Sequence, residues 1–486
     1  MNTDLTKEQK DYAIFLPAIS GFFATFIGKQ RREEYVEYSR IPTHFTNGVE
    51  SMNWLEPSKS LFNYKWSLYS AGHADLDIHK DSPKEDMVRD RDRNNSWLLG
   101  DSGGFQIGKG VWEGDWKDPN CPKAKKKREQ VLAWMDEYMD YGMILDIPAW
   151  VSRSEAGQKA TGISTYQEAV NATRINNDYF MQNRSGACKF LNVLQGENHA
   201  DAEDWYQQMK DYCDPKKYPD THFNGWSMGG QNMCDIHLAL KRLVALRFDG
   251  LLEKGLHDFM HFLGTSKLEW ATLLTDVQRA VRKHHNENFT ITFDCASPFL
   301  ATANGQIYCE LETGDRKKWV YRMVPSIDDK ALATDTTAFA DAFVREGKHR
   351  SFLDSPITKG LTAKDVCIYA PGDLNKIGKE GKTSWDSFSY AIQMGHNVWS
   401  HINAVQQGNK RYDEGIIPDM LVEERFDRLY FRDIVEAIFA TSNRDEANAV
   451  IEEFSKYWMS IIGTRGATGK KTVNAQTQFT NLFEEA

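Results

Sequence analysis

The chain has 486 residues, of which 41% are hydrophobic and 12% aromatic, enough to build a substantial core and too much for a disordered protein. A formal net charge of −10 excludes wholesale coating of nucleic acid, though not a local basic groove. Seven cysteines, an odd number with no CxxC pair, argue for free thiols in a reducing cytoplasm and against a disulfide framework or a zinc cluster.

In chain order, "AIFLPAISGFFATFIG" (13–28) is the first long apolar stretch. It is too short for a membrane span and is broken by Pro17, Ser20 and Gly21, so it reads as a buried strand or core loop, and no membrane partner is expected. "YAIFLPAI" and "WSLYSAG" are the strand candidates of this N-terminal part. Six short apolar runs follow: "SWLLGDSGGF", "GMILDIPAW", "KFLNVLQGEN", "GWSMGGQN", "DFMHFLGTS" and "FTITFDCAS". Between them, apolar residues recur near i, i+3, i+4 and i+7 over 125–139, 165–182, 200–213, 236–248 and 268–284, the spacing of amphipathic helices. Strands alternating with helices predict a parallel sheet, and eight of them predict an α/β chain folded as a (β/α)8 TIM barrel. An open doubly wound sheet is the alternative.

Beyond the last run, "GQIYCELETGDRKKWVYRMV" predicts a β-hairpin turning at Thr313-Gly314-Asp315. Helical patterns then dominate, over 387–407, 420–440 and 445–462, before a basic tail over 463–472. The expected organisation is a barrel core over 1–310, a hairpin and variable insertion over 311–384, and a helical region over 385–486.

Each of the six runs ends on a polar or glycine element: Asp101, Asp146, Gln195-Gly196, Gly229-Gly230, Gly264 and Asp294. Singly, an aspartate after a strand is more often a helix cap or turn former, and a glycine pair is usually a turn. In a parallel barrel, however, all these ends converge on the one face where active sites lie.

The strand-end motifs "DSGGFQ", "MILDIP", "VLQG", "MGG", "FLG" and "FDCASPFLATANGQ", in this order, resemble those of the tRNA-guanine transglycosylases. These are (β/α)8 barrel enzymes that exchange guanine for a 7-deazaguanine base in a polynucleotide. The resemblance runs from about residue 70 to 325, and "DSGGFQ" is its most specific piece. It implies that Asp294 is the nucleophile that attacks C1′, and that Asp101 is the general acid/base for the departing and incoming bases. It further implies that Asp146 pairs with the base N1–H and exocyclic amine, and that Gln195 and the amides of Gly229 and Gly230 contact O6. Phe105 and Leu263 would sandwich the ring. The residue types suit the ligand independently: N–H donors want carboxylates, O6 wants amides, and a flat π-face wants an apolar clamp. Two carboxylates near an anomeric carbon also suit an oxocarbenium-like transition state. His73 matches a family histidine only weakly and reads more readily as structural.

Three departures from the family stand out. The family's zinc site is not expected, because only Cys309 and Cys367 follow the nucleophile region and they are far apart; no metal or other cofactor is predicted, the 7-deazaguanine base being a co-substrate. Two arginines that read the anticodon loop are replaced by Leu300 and Ala303. Gln231-Asn232 replaces an apolar residue and alanine beside the expected 7-substituent. These departures resemble the DpdA-type DNA-guanine transglycosylases of phages and bacteria, so DNA is the expected partner, with the host cytoplasm as location if the chain is phage-encoded. Such an enzyme needs its target base flipped or single-stranded. Candidate phosphate contacts are "KAKKKR" (123–128), the tail cations Arg465, Lys470 and Lys471, and above all Lys317, Lys318, Trp319 and Tyr321, which mix cations with aromatics as polynucleotide grooves do. Three alternatives remain open: a tRNA transglycosylase without the usual zinc, a non-catalytic nucleic-acid-binding subunit, and a carbohydrate-active barrel using paired carboxylates. Oligomeric state is not readable from the sequence.

Overall fold

The computed structural model describes residues 3–32, 36–80, 85–345, 351–368, 383–424 and 429–463. The eight apolar runs all form strands: β1 (Ile14–Pro17), β2 (Trp66–Ser70), β3 (Trp97–Asp101), β4 (Tyr141–Met143), β5 (Lys189–Leu194), β6 (Gly225–Met228), β7 (Phe259–Phe262) and β8 (Thr290–Cys295). They make one sheet in the order β1-β8-β7-β6-β5-β4-β3-β2, every adjacent pair parallel. Neighbours in sequence are thus neighbours in space, and the sheet curls into a nearly closed (β/α)8 barrel. Between β1 and β2 the closure is a bridge at Ala18 and Leu68, where the Ile19 N–H donates to Leu68 O at 3.0 Å. The Tyr64 hydroxyl, donating to Phe15 O at 2.6 Å, spans the same seam.

The helices take the predicted spans closely. Those at Ile236–Phe248 and Leu268–His284 begin and end where the apolar period does. The helix at Tyr166–Asn183 starts on a reciprocal cap, Thr165 accepting from the Glu168 N–H while Glu168 accepts from the Thr165 N–H. Helix Pro122–Tyr138 sits down on the sheet because Gly100 and Gly142 are register partners on β3 and β4. A Cβ on Gly142 would lie 2.6 Å from the Met135 sulfur, and one on Gly100 2.9 Å from Met139 Cγ, so side chains there would lift the helix away.

The predicted hairpin is present as β9 (Gln306–Glu312) and β10 (Val320–Pro325), but its connection runs over 313–319 rather than as a tight turn at 313–315. The long C-terminal helix, Ser387–Asp413, exceeds its predicted span and packs along the barrel. Its Tyr412 hydroxyl donates to Asp276 at 2.6 Å, Gln406 donates to Leu5 O at 2.7 Å, and the His401 ring stacks on Phe15 at 4.4 Å. Barrel and C-terminal residues therefore share one hydrophobic core, which reaches from Leu5 to Ile461. Two helical expectations are corrected. Among the described residues of 420–440, α-helix is confined to Phe431–Ala440; before it, Val422–Glu423 pairs antiparallel with Leu429–Tyr430. The span 445–462 is two helices, Arg444–Glu453 and Ser455–Gly463, broken at Phe454. No helix among the described residues is long and apolar enough to cross a membrane.

The hairpin also corrects half of the expected polynucleotide groove. Lys317 and Lys318 are exposed, but Trp319 is 4% exposed and donates its backbone N–H to Glu269 at 2.9 Å. Its indole lies against Gly408 of the long helix. Tyr321 stacks on His401 at 4.5 Å and on Tyr308 at 5.5 Å. The hairpin folds back on the long helix, so Trp319 and Tyr321 face the core while Lys317 and Lys318 face solvent; neither ring is placed to stack on a base. Trp319→Ala should accordingly act on stability, costing about 3–5 kcal/mol as a buried large-to-small change. A urea titration that leaves the midpoint unmoved would contradict this placement.

Candidate active site

The C-terminal ends of the strands open on one cavity. Asp101, Phe105, Asp146, Gln195, Leu263 and Asp294, six of the eight barrel residues singled out from sequence, line it together. Its remaining wall is largely apolar, with Ile19 and Leu68 on the seam side and Trp150, Phe299 and Leu300 elsewhere.

Asp101 is the last residue of β3 and register partner of Ser70, the last of β2. The Ser70 hydroxyl donates to Asp101 Oδ2 at 2.6 Å and accepts the Gly72 N–H at 3.1 Å. The chain then turns on Gly103, whose φ of +83° and close approach to the Trp112 ring suit only glycine. The turn lands Gly104 against Asp146: a Cβ there would be 2.8 Å from the Asp146 carbonyl oxygen and 3.2 Å from its carboxylate. The two glycines of "DSGGFQ" thus have separate tasks, one conformational and one steric. Phe105 follows on the same short helix, Gly104–Gly108, with the Lys109 ammonium 5.5 Å from its ring centre.

Asp146 is buried just beyond β4, where the Gln195 amide donates to its Oδ2 at 2.8 Å. Burial pushes its carboxyl up to about 7, with the Gln195 hydrogen bond opposing and the charge of Asp101 adding. Burial likewise raises the Asp101 carboxyl, against hydrogen bonds from Ser70 and Gly103 and with a contribution from Asp294. His73 lines the same cavity; burial lowers its imidazole, and the neighbouring Asp101 opposes that.

Asp294, near the end of β8, is held differently. Its Oδ1 accepts the Gly264 N–H at 2.9 Å and lies 3.2 Å from His261 Nε2. His261 is fully buried on β7, its Nδ1 2.9 Å from the Thr292 hydroxyl on the neighbouring strand.

Gly229 and Gly230 stand behind the cavity. The Gly229 N–H is donated to Leu194 O at 2.8 Å as part of the sheet, so it is not a contact for a base oxygen. A Cβ on Gly229 would meet the Gln195 side-chain nitrogen at 2.9 Å, and one on Gly230 the Gly196 carbonyl at 2.5 Å. The glycine pair makes room for Gln195 and Gly196. Gln231 and Asn232 are buried, with Asn232 donating to Gln195 O at 3.2 Å, and neither is among the cavity-lining residues.

Ser70, His261 and Trp150 were not anticipated. Ser70 was open to the strand-end rule, since it ends "WSLYS" as Asp101 ends its own run. His261 had only the signal of a histidine inside an apolar strand. Several of the remaining candidates are engaged elsewhere, while Lys126 is exposed. In "KAKKKR", Lys123 pairs with Glu113 at 2.6 Å, Lys127 lies over Trp112 at 4.8 Å, and Arg128 is buried against Tyr179. Arg465, Lys470 and Lys471 lie outside the described residues. Cys309 and Cys367 are buried apart, with hydrogen bonds to Arg322 O and Ile327 O respectively, and no group of three or more potential metal ligands occurs among the described residues.

Fold and site together define a parallel (β/α)8 barrel with a carboxylate-rich pocket at its strand ends. No protein-family model matches the chain, and no curated protein matches it. Its functional reading rests on the residues themselves.

Two stability effects follow from the buried acid. In the folded chain Asp146 holds its proton up to about 7, far above the unfolded value of 3.8, so its ionisation penalises folding. The penalty is absent below about pH 4, develops from there to about 7 and is complete above it. Asp146→Asn should therefore raise the melting midpoint at pH 8, with the gain shrinking toward pH 4; an equal gain at both ends would reject the linkage. Gly104→Ala, forced against the Asp146 carbonyl, should lower the midpoint by the equivalent of about 1–3 kcal/mol.

Proposed function

We propose that this protein is a DNA-guanine transglycosylase, exchanging guanine in DNA for a 7-deazaguanine base through a glycosyl-aspartate intermediate. The observation that carries the reading is the sharing of one cavity by Asp101 and Asp294 with the Asp146–Gln195 pair. A retaining exchange at a glycosidic carbon needs a nucleophile and an acid, and a guanine edge needs an acceptor beside an amide.

In this mechanism the base stacks between Phe105 and Leu263. Asp146 accepts from N1–H and the exocyclic amine, and Gln195 serves O6. Asp294 forms a bond from its carboxylate oxygen to C1′ while the C1′–N9 bond breaks, its electron pair leaving with guanine. The raised carboxyl of Asp101 supplies the proton that neutralises the leaving base. Guanine departs, the deazaguanine enters, Asp101 takes back its N9 proton, and N9 displaces Asp294 from C1′. Atoms and charge balance over the cycle, and no oxidant or reductant is required.

The choice of DNA rests on the residues after the nucleophile. Leu300 presents an apolar side chain to the cavity, and Ala303 is exposed on the same short helix, where the resembling tRNA enzymes carry cations. On the hairpin that follows, Lys317 and Lys318 are exposed and have no ion-pair partner among the described residues, which suits phosphates of any sequence.

Labelled guanine offered with duplex DNA, single-stranded DNA or bulk tRNA tests the reading: label should enter DNA. Entry into tRNA alone would replace the polymer, and entry into none would reject base exchange. Asp294→Ala should abolish both exchange and the covalent adduct. Asp101→Asn should bind polymer normally and stall, losing roughly a hundredfold or more in exchange rate. Guanine binding should also tighten as pH rises toward about 7, because Asp146 must ionise to accept both donors. Each unit below that value should weaken binding by up to about tenfold, and Asp146→Asn should flatten the profile.

A further inference from the structure

We infer that His261 is a positioning residue for Asp294, fixing which carboxylate oxygen attacks and along which line. This rests on Asp294 being the nucleophile. Both protein donors to Asp294, His261 Nε2 at 3.2 Å and the Gly264 N–H at 2.9 Å, converge on Oδ1. Oδ2 accepts no hydrogen bond from the described residues, and Asp294 lines the cavity, so Oδ2 is the oxygen offered to substrate.

The imidazole is itself fixed. It is fully buried in β7 and touches the Thr292 hydroxyl through Nδ1 at 2.9 Å. An ionised carboxylate only accepts, so Nε2 carries the hydrogen of the His261–Asp294 contact and Nδ1 receives the Thr292 hydroxyl hydrogen. The carboxylate thereby sets the tautomer, and the Thr292 hydroxyl, able to donate or accept, holds the ring from behind by donating to Nδ1. Thr292 and Asp294 lie two apart on β8 and project to the same side of the strand, with His261 opposite Thr292 on β7. The arrangement is a three-residue brace across two adjacent strands, with no loop in it.

The brace also couples nucleophile to base. Residues 261–264 supply the ring that holds Oδ1, the Leu263 wall of the cavity and the amide that completes the grip. One short segment therefore sets the spacing between the base plane and the attacking oxygen, the quantity to which displacement rates are most sensitive.

The test compares His261→Leu, which keeps bulk and removes the donor, with His261→Gln, whose amide can replace it. Single-turnover formation of the covalent adduct on guanine-containing DNA is measured beside equilibrium binding of free guanine. His261→Leu should slow adduct formation by roughly a hundredfold with guanine binding unchanged, and His261→Gln should recover much of the loss. Thr292→Val, which removes only the hydroxyl behind the ring, should slow the step several-fold and carries the test if His261→Leu does not fold. Wild-type adduct rates in His261→Leu, or in Thr292→Val should that be the variant in hand, overturn the positioning role. A loss of guanine binding equal to the loss of rate overturns it as well. Adduct formation persisting in Asp294→Ala instead removes the nucleophile, and with it the reading on which the inference stands.

Discussion

Three carboxylates share one cavity with no lysine or arginine among the residues that line it, and the rest of the site is arranged around that constraint. Each acid is stabilised by neutral or backbone donors: a serine hydroxyl for Asp101, a glutamine amide for Asp146, a backbone N–H and an imidazole for Asp294. Such donors fix geometry without cancelling charge. Burial is then free to act on the first two acids, and it raises both. The outcome is a division of labour among chemically identical side chains. One acid is raised by burial beside a serine hydroxyl, one is raised to about 7, and one has a single oxygen held by two donors.

The barrel explains why such an arrangement can be built at all. Parallel strands deliver their last residues to one rim, so residues far apart in the chain meet with little dependence on loop structure. Ser70 and Asp101 are register partners, as are His261 and Thr292, and the contacts between them are consequences of strand pairing. The long C-terminal helix extends the same core, its His401 inserted between Phe15 of β1 and Tyr321 of the hairpin. Sequence beyond the barrel thus contributes directly to holding the strands that carry the site.

Much of this was legible before any coordinates. All eight strands announced themselves as apolar runs bounded by glycine or polar residues, because strands covered on both faces must be apolar throughout. The aspartates, Gln195, Phe105 and Leu263 were found because they end or follow such runs. What stayed hidden depends on pairing across distance. The Gly229 amide looked available, yet its sheet bond to Leu194 cannot be inferred from the local string. Trp319 and Tyr321 alternate with cations as a binding strip would, and only the position of the Ser387–Asp413 helix decides that they are core. His261 is indistinguishable in one dimension from any buried polar residue. The span 420–440 carried a helical period through a stretch that instead pairs as a short antiparallel ladder.

The seam between β1 and β2 differs from the rest of the barrel in how it is joined. Around the rest of the circumference the strands are joined by ladders of paired residues, whereas here the sheet is sewn by a bridge at Ala18 and Leu68 with the Tyr64 hydroxyl alongside. Ile19 and Leu68 bring that side to the cavity, while Asp146 and Gln195 follow the ends of β4 and β5, whose ladder pairs Tyr141–Met143 with Lys189–Leu191. Anything entering the cavity would meet an apolar face from the seam and a polar one from the ends of β4 and β5.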